Sequence, residues 1–147
     1  MSRFVFPYGI RLKEAGVVEV FPAAEILVFG KDKRGMRAIF YIDSGATTSV
    51  LPASDAQSLG IELSASKRLV VRGITGDALS GYRQMLKIQI GSRKMMTPFI
   101  FVNSDIPRIL GREGIFDKFI VIFDEPMRRS GLLEPRSHRR AISRLLD

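Results

Sequence analysis

The chain of 147 residues has no cysteine, a single histidine and no apolar run long enough to cross a bilayer. Without cysteine, disulfide frameworks, cysteine-ligated metals and thiol nucleophiles are excluded together, and the redox compartment is left open. A spanning helix needs roughly 18 to 20 unbroken apolar residues, and the longest apolar segments here have the length and β-branched character of strands. The first twelve residues hold Arg3, Pro7, Gly9 and Arg11 and lack the long apolar core of a secretory signal, so a cytoplasmic protein is expected. His138 stands among Ser137, Arg139 and Arg140, the surroundings of a solvated side chain rather than of a base or a metal ligand.

What is present is an ordinary globular composition, 46% hydrophobic and 26% charged, in a chain long enough to bury a core of its own. The net charge of +8 is unevenly spread: over 127–147, six arginines stand against Glu134 and Asp147 and supply half of it. That tail has no interleaved aromatics and no recognisable nucleic-acid-binding motif, so a solvated, partly helical segment is expected. Phosphate contacts, or docking of Leu132, Leu133, Ile142, Leu145 and Leu146 on a partner or in a cleft, are the other readings. The expected division is an N-terminal segment over 1–23, a folded domain over 24–126 closed by Pro126, and a linker with a short helix over 127–147.

Within the domain, strands dominate. The runs 24–29 and 36–42 flank a polar, Gly-ended turn and read as a hairpin. Residues 53–59 have helical composition and Gly60 is placed as a stop. A strand over 67–72 precedes the glycine-rich stretch 73–81, which reads as an exposed, mobile hairpin tip. Over 82–90, Met85, Lys87 and Gln89 alternate with Leu86, Ile88 and Ile90, the period of a strand with one buried face. Gly91-Ser92 turns the chain into a return strand over 97–102. After 106–110 come Gly111-Arg112, a predicted helix over 113–118 and a strand over 119–123.

The chemistry sits where the strand ending in Ile42 delivers the chain to Asp43-Ser44-Gly45-Ala46-Thr47. A turn of small and hydroxyl residues holds a carboxylate rigidly: Gly45 lets backbone amides approach it, and Ser44 is placed to hydrogen-bond a neighbouring backbone group. Asp-Ser-Gly by itself is also an ordinary Asx-type turn. A second element, Ile109-Leu110-Gly111-Arg112, again ends an apolar strand.

Together, and in this order, the two elements resemble the retropepsins, the single-domain aspartic peptidases of retroviral and cellular type. In that family a strand ends in Asp-Ser/Thr-Gly-Ala, and two apolar residues later precede Gly-Arg and a short helix. Between them stands a flap hairpin, matched in position and composition by 72–82, with Gly73, Ile74, Thr75 and Gly76 as the flap candidates. The resemblance covers about 24–125. It implies an all-β, closed, barrel-like domain with one or two short helices, acting as a symmetric homodimer. It further implies hydrolysis of extended polypeptides by Asp43 and its symmetry mate, with Ser44, Gly45, Ala46 and Thr47 supporting the loop, Gly111 and Arg112 supporting the site or dimer, and no metal or cofactor. Ile74, Val50, Leu51 and Ile106 are candidate subsite residues and equally candidate core. Two positions depart from the family: Thr47 stands where an Asp commonly pairs with the Gly-Arg arginine, and Glu113 where an Asn or Asp commonly follows it. Against the peptidase stand a silent dimeric peptide-binding or scaffolding module and a nucleic-acid-binding protein using the basic tail.

Overall fold

The computed structural model describes residues 3–72 and 76–147. The strands in chain order are β1 (Arg3–Pro7), β2 (Gly9–Leu12), β3 (Val18–Phe21), β4 (Ala23–Phe29), β5 (Gly35–Ile42), β6 (Ser49–Pro52), β7 (Lys67–Arg72), β8 (Ala78–Ile90), β9 (Arg93–Val102), β10 (Ile109–Leu110), β11 (Ile120–Asp124) and β12 (Arg129–Leu133). Two α-helices join them, α1 (Ala53–Ser58) and α2 (Pro135–Leu146). The fold is therefore mostly β.

Seven strands form one sheet in the order β4-β5-β10-β6-β9-β8-β7, and β4 also pairs with β8 through Leu27↔Gln89 and Val28↔Ile88. The alternation read over 82–90 is realised: Leu86, Ile88 and Ile90 enter the core while Met85 and Lys87 face solvent. With Ile26, Val28, Phe40, Phe99, Phe101 and Leu110 they make one contiguous apolar cluster, the burial that drives the sheet to fold.

Several expectations are corrected. The stretch 113–118 is a series of turns, because Gly114 takes φ +85 and interrupts any helical run. The return strand begins at Arg93, and β8 begins at Ala78, so Leu79, Ser80 and Gly81 belong to a strand and not to a hairpin tip. Past Pro126, where a linker was expected, β12 runs between β1 and β11 as the middle strand of a three-stranded sheet, and Leu132 is fully buried. The N-terminal residues supply β1, whose Phe4 and Phe6 pack against the core, and the two-stranded hairpin β2-β3. No helix among the described residues is long and apolar enough to cross a membrane.

Candidate active site

The short strand β10 lies parallel to β5, with Ile109 beside Tyr41 and Leu110 beside Ile42, and antiparallel to β6 through Ile109↔Val50. Two distant pieces of chain thereby emerge side by side at one end of the sheet. The Asp43 amide donates to the Leu110 carbonyl at 3.0 Å, so Asp43 sits one residue beyond β5 and is still held by the β10 backbone. Its side chain is exposed, and its Oδ1 accepts the Gly45 amide at 2.8 Å while the Asp43 carbonyl accepts the Ala46 amide at 3.2 Å. A Cβ on Gly45 would lie 3.2 Å from that same Oδ1, which is the close approach the glycine permits.

The loop is stitched to the 111–113 segment. The Arg112 amide donates to Ala46 O and the Glu113 amide to Thr47 O, both at 2.8 Å. Gly111 is packed so tightly that an added Cβ would lie 2.5 Å from the Thr48 carbonyl carbon and 2.9 Å from Ala46 O. Its amide donates at 3.0 Å to the Oγ of Ser49, a fully buried residue. Ser44, expected to lock the loop, is exposed and makes no hydrogen bond among the described residues; Ser49 has that role instead.

In front of Asp43 lies a cavity of about 420 Å³. Asp43, Gly45, Ala46, Thr47, Thr48 and Val50 form one side of it, and Leu69, Val70, Val71 and Arg72 of β7 face them across it, with Ile100 completing the lining. An exposed carboxylate in a mostly apolar groove is suited to a ligand with extended backbone and apolar side chains.

The sequence matches the family model described as aspartyl protease over residues 32–114, more than half of the chain. The chain belongs to the aspartyl protease family. It is similar in structure to a retropepsin-like aspartic protease from Rickettsia conorii, with a TM-score of 0.59 and 19% identity over 90% of this chain and 99% of that one. It is also similar to EIAV protease in its complex with the inhibitor HBY-793, with a TM-score of 0.51 and 21% identity over 66% of this chain and 86% of that one. At these identities the likeness is one of fold, and the fold is retropepsin-like. No curated protein matches the sequence.

As a member of that family the chain is an aspartic peptidase, and the two departures in its motif acquire a physical account. Arg112 is exposed, and among the described residues its guanidinium reaches the hydroxyl of Thr47, at 3.4 Å. Glu113 turns to β8, where Arg83 binds it through both guanidinium Nη atoms, and its Oε2 also accepts the Thr48 hydroxyl at 3.2 Å. The Arg83 hydrogen bond holds the Glu113 carboxyl below the usual glutamate range, against an opposing push from partial burial, and raises Arg83 in turn.

Of the sequence-predicted residues, Asp43, Gly45, Ala46 and Thr47 come together at the cavity, with Gly111 and Arg112 directly behind. Gly73, Ile74 and Thr75 lie outside the described residues; Gly76 is described, at φ +83. Among the subsite candidates, Val50 lines the cavity, Leu51 is fully buried core, and Ile106 is half-buried away from the lining. Sequence reasoning missed the β7 wall, although the apolar Leu69-Val70-Val71 in the strand that leads into the glycine-rich turn was an available sign.

Proposed function

We propose that this chain is one half of an aspartic endopeptidase whose two catalytic carboxylates are Asp43 and the Asp43 of a second copy, paired in a symmetric homodimer. The observation that carries the reading is the exposed Asp43 carboxylate, fixed by the Gly45 amide at the mouth of an apolar groove. Asp-Ser/Thr-Gly occurs once in the sequence, and a two-fold axis brings identical residues face to face.

Two carboxylates about 3 Å apart do not both ionise cheaply, so they share a proton and titrate as a unit. The ionised one takes a proton from the attacking water, and the protonated one donates to the peptide carbonyl or the leaving amine. The reaction needs no metal and no organic cofactor. Ser44, Gly45, Ala46 and Thr47 hold the loop, and Gly111 and Arg112 buttress it from behind. In the same reading the domain over 24–126 carries the peptidase parts, and 73–76 acts as a flap that folds over an extended polypeptide and excludes bulk water. Support for this comes from β7 and β8, which pair up to Arg72↔Ala78 on either side of those residues. A cytoplasmic location remains part of the proposal.

Digestion of a diverse peptide mixture by wild type and Asp43→Asn, read by mass spectrometry from about pH 4 to 7, tests it. Cleavage by wild type, with loss of about 10³-fold or more in the variant and an unchanged far-ultraviolet spectrum, is the expected outcome. Equal cleavage by both proteins ends the proposal.

A further inference from the structure

The hairpin β2-β3 is built inside out. Its register pairs Gly9↔Phe21, Ile10↔Val20, Arg11↔Glu19 and Leu12↔Val18, and side chains alternate between faces along each strand. The face carrying Arg11, Glu19 and Phe21 turns toward the body: the Phe21 ring stacks on Tyr41 with centroids 3.6 Å apart and planes 3° apart, and the Tyr41 hydroxyl donates to Glu19 Oε2 at 3.1 Å. Lys13 adds an ion pair to Glu19 at 3.2 Å. The opposite face consists of Ile10, Leu12, Val18 and Val20, exposed by 74, 72, 56 and 41%. The charged residues are thus tied down and the aliphatic ones are left in water, the reverse of a solvated hairpin.

A two-stranded ribbon is marginal unless one face is packed, and here the face that lacks cover is the more apolar one. Its location says what covers it. The chain leaves β3 at Phe21-Pro22, and the Pro22 carbonyl accepts the Ile42 amide at 3.0 Å, one residue before Asp43. Tyr41, the anchor of the hairpin, lies two residues before Asp43. The uncovered apolar face and the exposed Asp43 carboxylate therefore spring from neighbouring stretches of chain. An outward face with no charge at all suits a copy of itself better than a charged surface.

We propose that the Ile10, Leu12, Val18 and Val20 face of the β2-β3 hairpin is the dimer interface of this chain and that it packs on the same face of a second copy beside the paired Asp43 loops. This rests on the two-copy reading of the active site. The contact is isologous, and it brings the second Asp43 into place.

The test uses the full chain and two double variants, Ile10→Lys/Val20→Lys and Ile10→Glu/Val20→Glu. Sedimentation equilibrium and peptidase activity are measured on each alone and on their equimolar mixture, with circular dichroism to confirm that the exposed substitutions leave the fold unchanged. The expected result is a dimer for wild type, weakening of at least about 100-fold and loss of activity for each variant alone, and recovery of both in the mixture, where opposite charges meet. Variants that dimerise and cleave like wild type overturn the inference and leave the Asp43 reading intact. A wild type that dimerises through the hairpin yet cleaves nothing removes the Asp43 reading and leaves the interface. A wild type that is monomeric at hundreds of micromolar overturns the inference, and co-sedimentation of that monomer with vesicles of anionic phospholipid would assign the face to a membrane surface.

Discussion

Arg83 grips Glu113 with two guanidinium hydrogen bonds, Nη2 to Oε1 at 2.6 Å and Nη1 to Oε2 at 3.2 Å, and so ties the long strand β8 to the segment that supports Asp43. Both side chains are more than a third exposed, so the pair contributes little to global stability, about 0.5 to 1 kcal/mol. Its larger effect is positional, since Glu113 also receives the Thr48 hydroxyl and its amide binds Thr47. Glu113→Gln should lower kcat/KM by about 10-fold or more while moving the denaturation midpoint only slightly. Urea melts alongside initial rates check it.

The same pair sets a pH dependence. Glu113 holds its proton less well in the folded chain than in the unfolded one, so its contribution is present at neutral pH and is lost as the pH falls through and below the ordinary glutamate value of about 4.3. The stability difference between wild type and Glu113→Gln should therefore shrink as the pH drops from 6 to about 3. Chemical denaturation at each pH reads it, and a difference that grows on acidification would contradict the assignment.

Gly111→Ala should be among the most damaging single-methyl changes in the chain. The added carbon would meet backbone atoms of Thr48 and Ala46 on every near side, none of which swings away as a side-chain end does. A loss of about 1 to 3 kcal/mol is expected, together with loss of activity. Gly35→Ala has its nearest neighbours at 3.5 and 3.6 Å and no positive φ, so it should stay within about 0.5 kcal/mol of wild type. Thermal midpoints of the two variants make the comparison.

Ser49→Ala removes the hydroxyl that accepts the Gly111 amide inside the core and leaves that N–H without its acceptor. The expected cost is about 1 to 3 kcal/mol. Hydrogen exchange at the Gly111 amide should accelerate in the variant by more than at Ile88, a core strand position.

Two truncations separate the tail into parts. Ending the chain after Glu134 removes α2, which has no buried residue, and should leave the melting temperature nearly unchanged. Ending it after Pro126 removes β12 and the fully buried Leu132 from between two strands, and should unfold the protein or leave it without a cooperative transition. Retained salt-sensitive binding to nucleic acid by the full chain and its loss on removal of α2 would revive the basic-tail reading.

Much of this was legible in the residues themselves. The alternation of Leu86, Ile88 and Ile90 with polar neighbours reports a half-buried strand because the period of side-chain direction is a local property. Asp43 stood out because its tripeptide follows an apolar strand and has a second Gly-containing element to match. What stayed hidden depends on contacts between distant residues. Nothing near Glu113 announces that Arg83 will hold it, and nothing near Ser130 or Leu132 says that β1, at the other end of the chain, will pair with their strand. Gly114 was read as compatible with a helix because a glycine's φ is fixed by what crowds it, here Thr97 and Pro98 within 2.9 Å of a would-be Cβ. The inverted hairpin escaped for a similar cause, since only the stacking of Phe21 on Tyr41 decides which of its two faces looks inward.

The stitching of the Asp43 loop to residues 110–113 also dictates when on the ribosome the carboxylate can be set. A nascent chain that has emerged only as far as β9 has Asp43 but neither the Leu110 carbonyl that receives its amide nor the Gly111 that buttresses its loop. Pairings so far apart in sequence form late. The Asp43 loop gains the backbone contacts that hold it only once residues 110–113 are there to receive it.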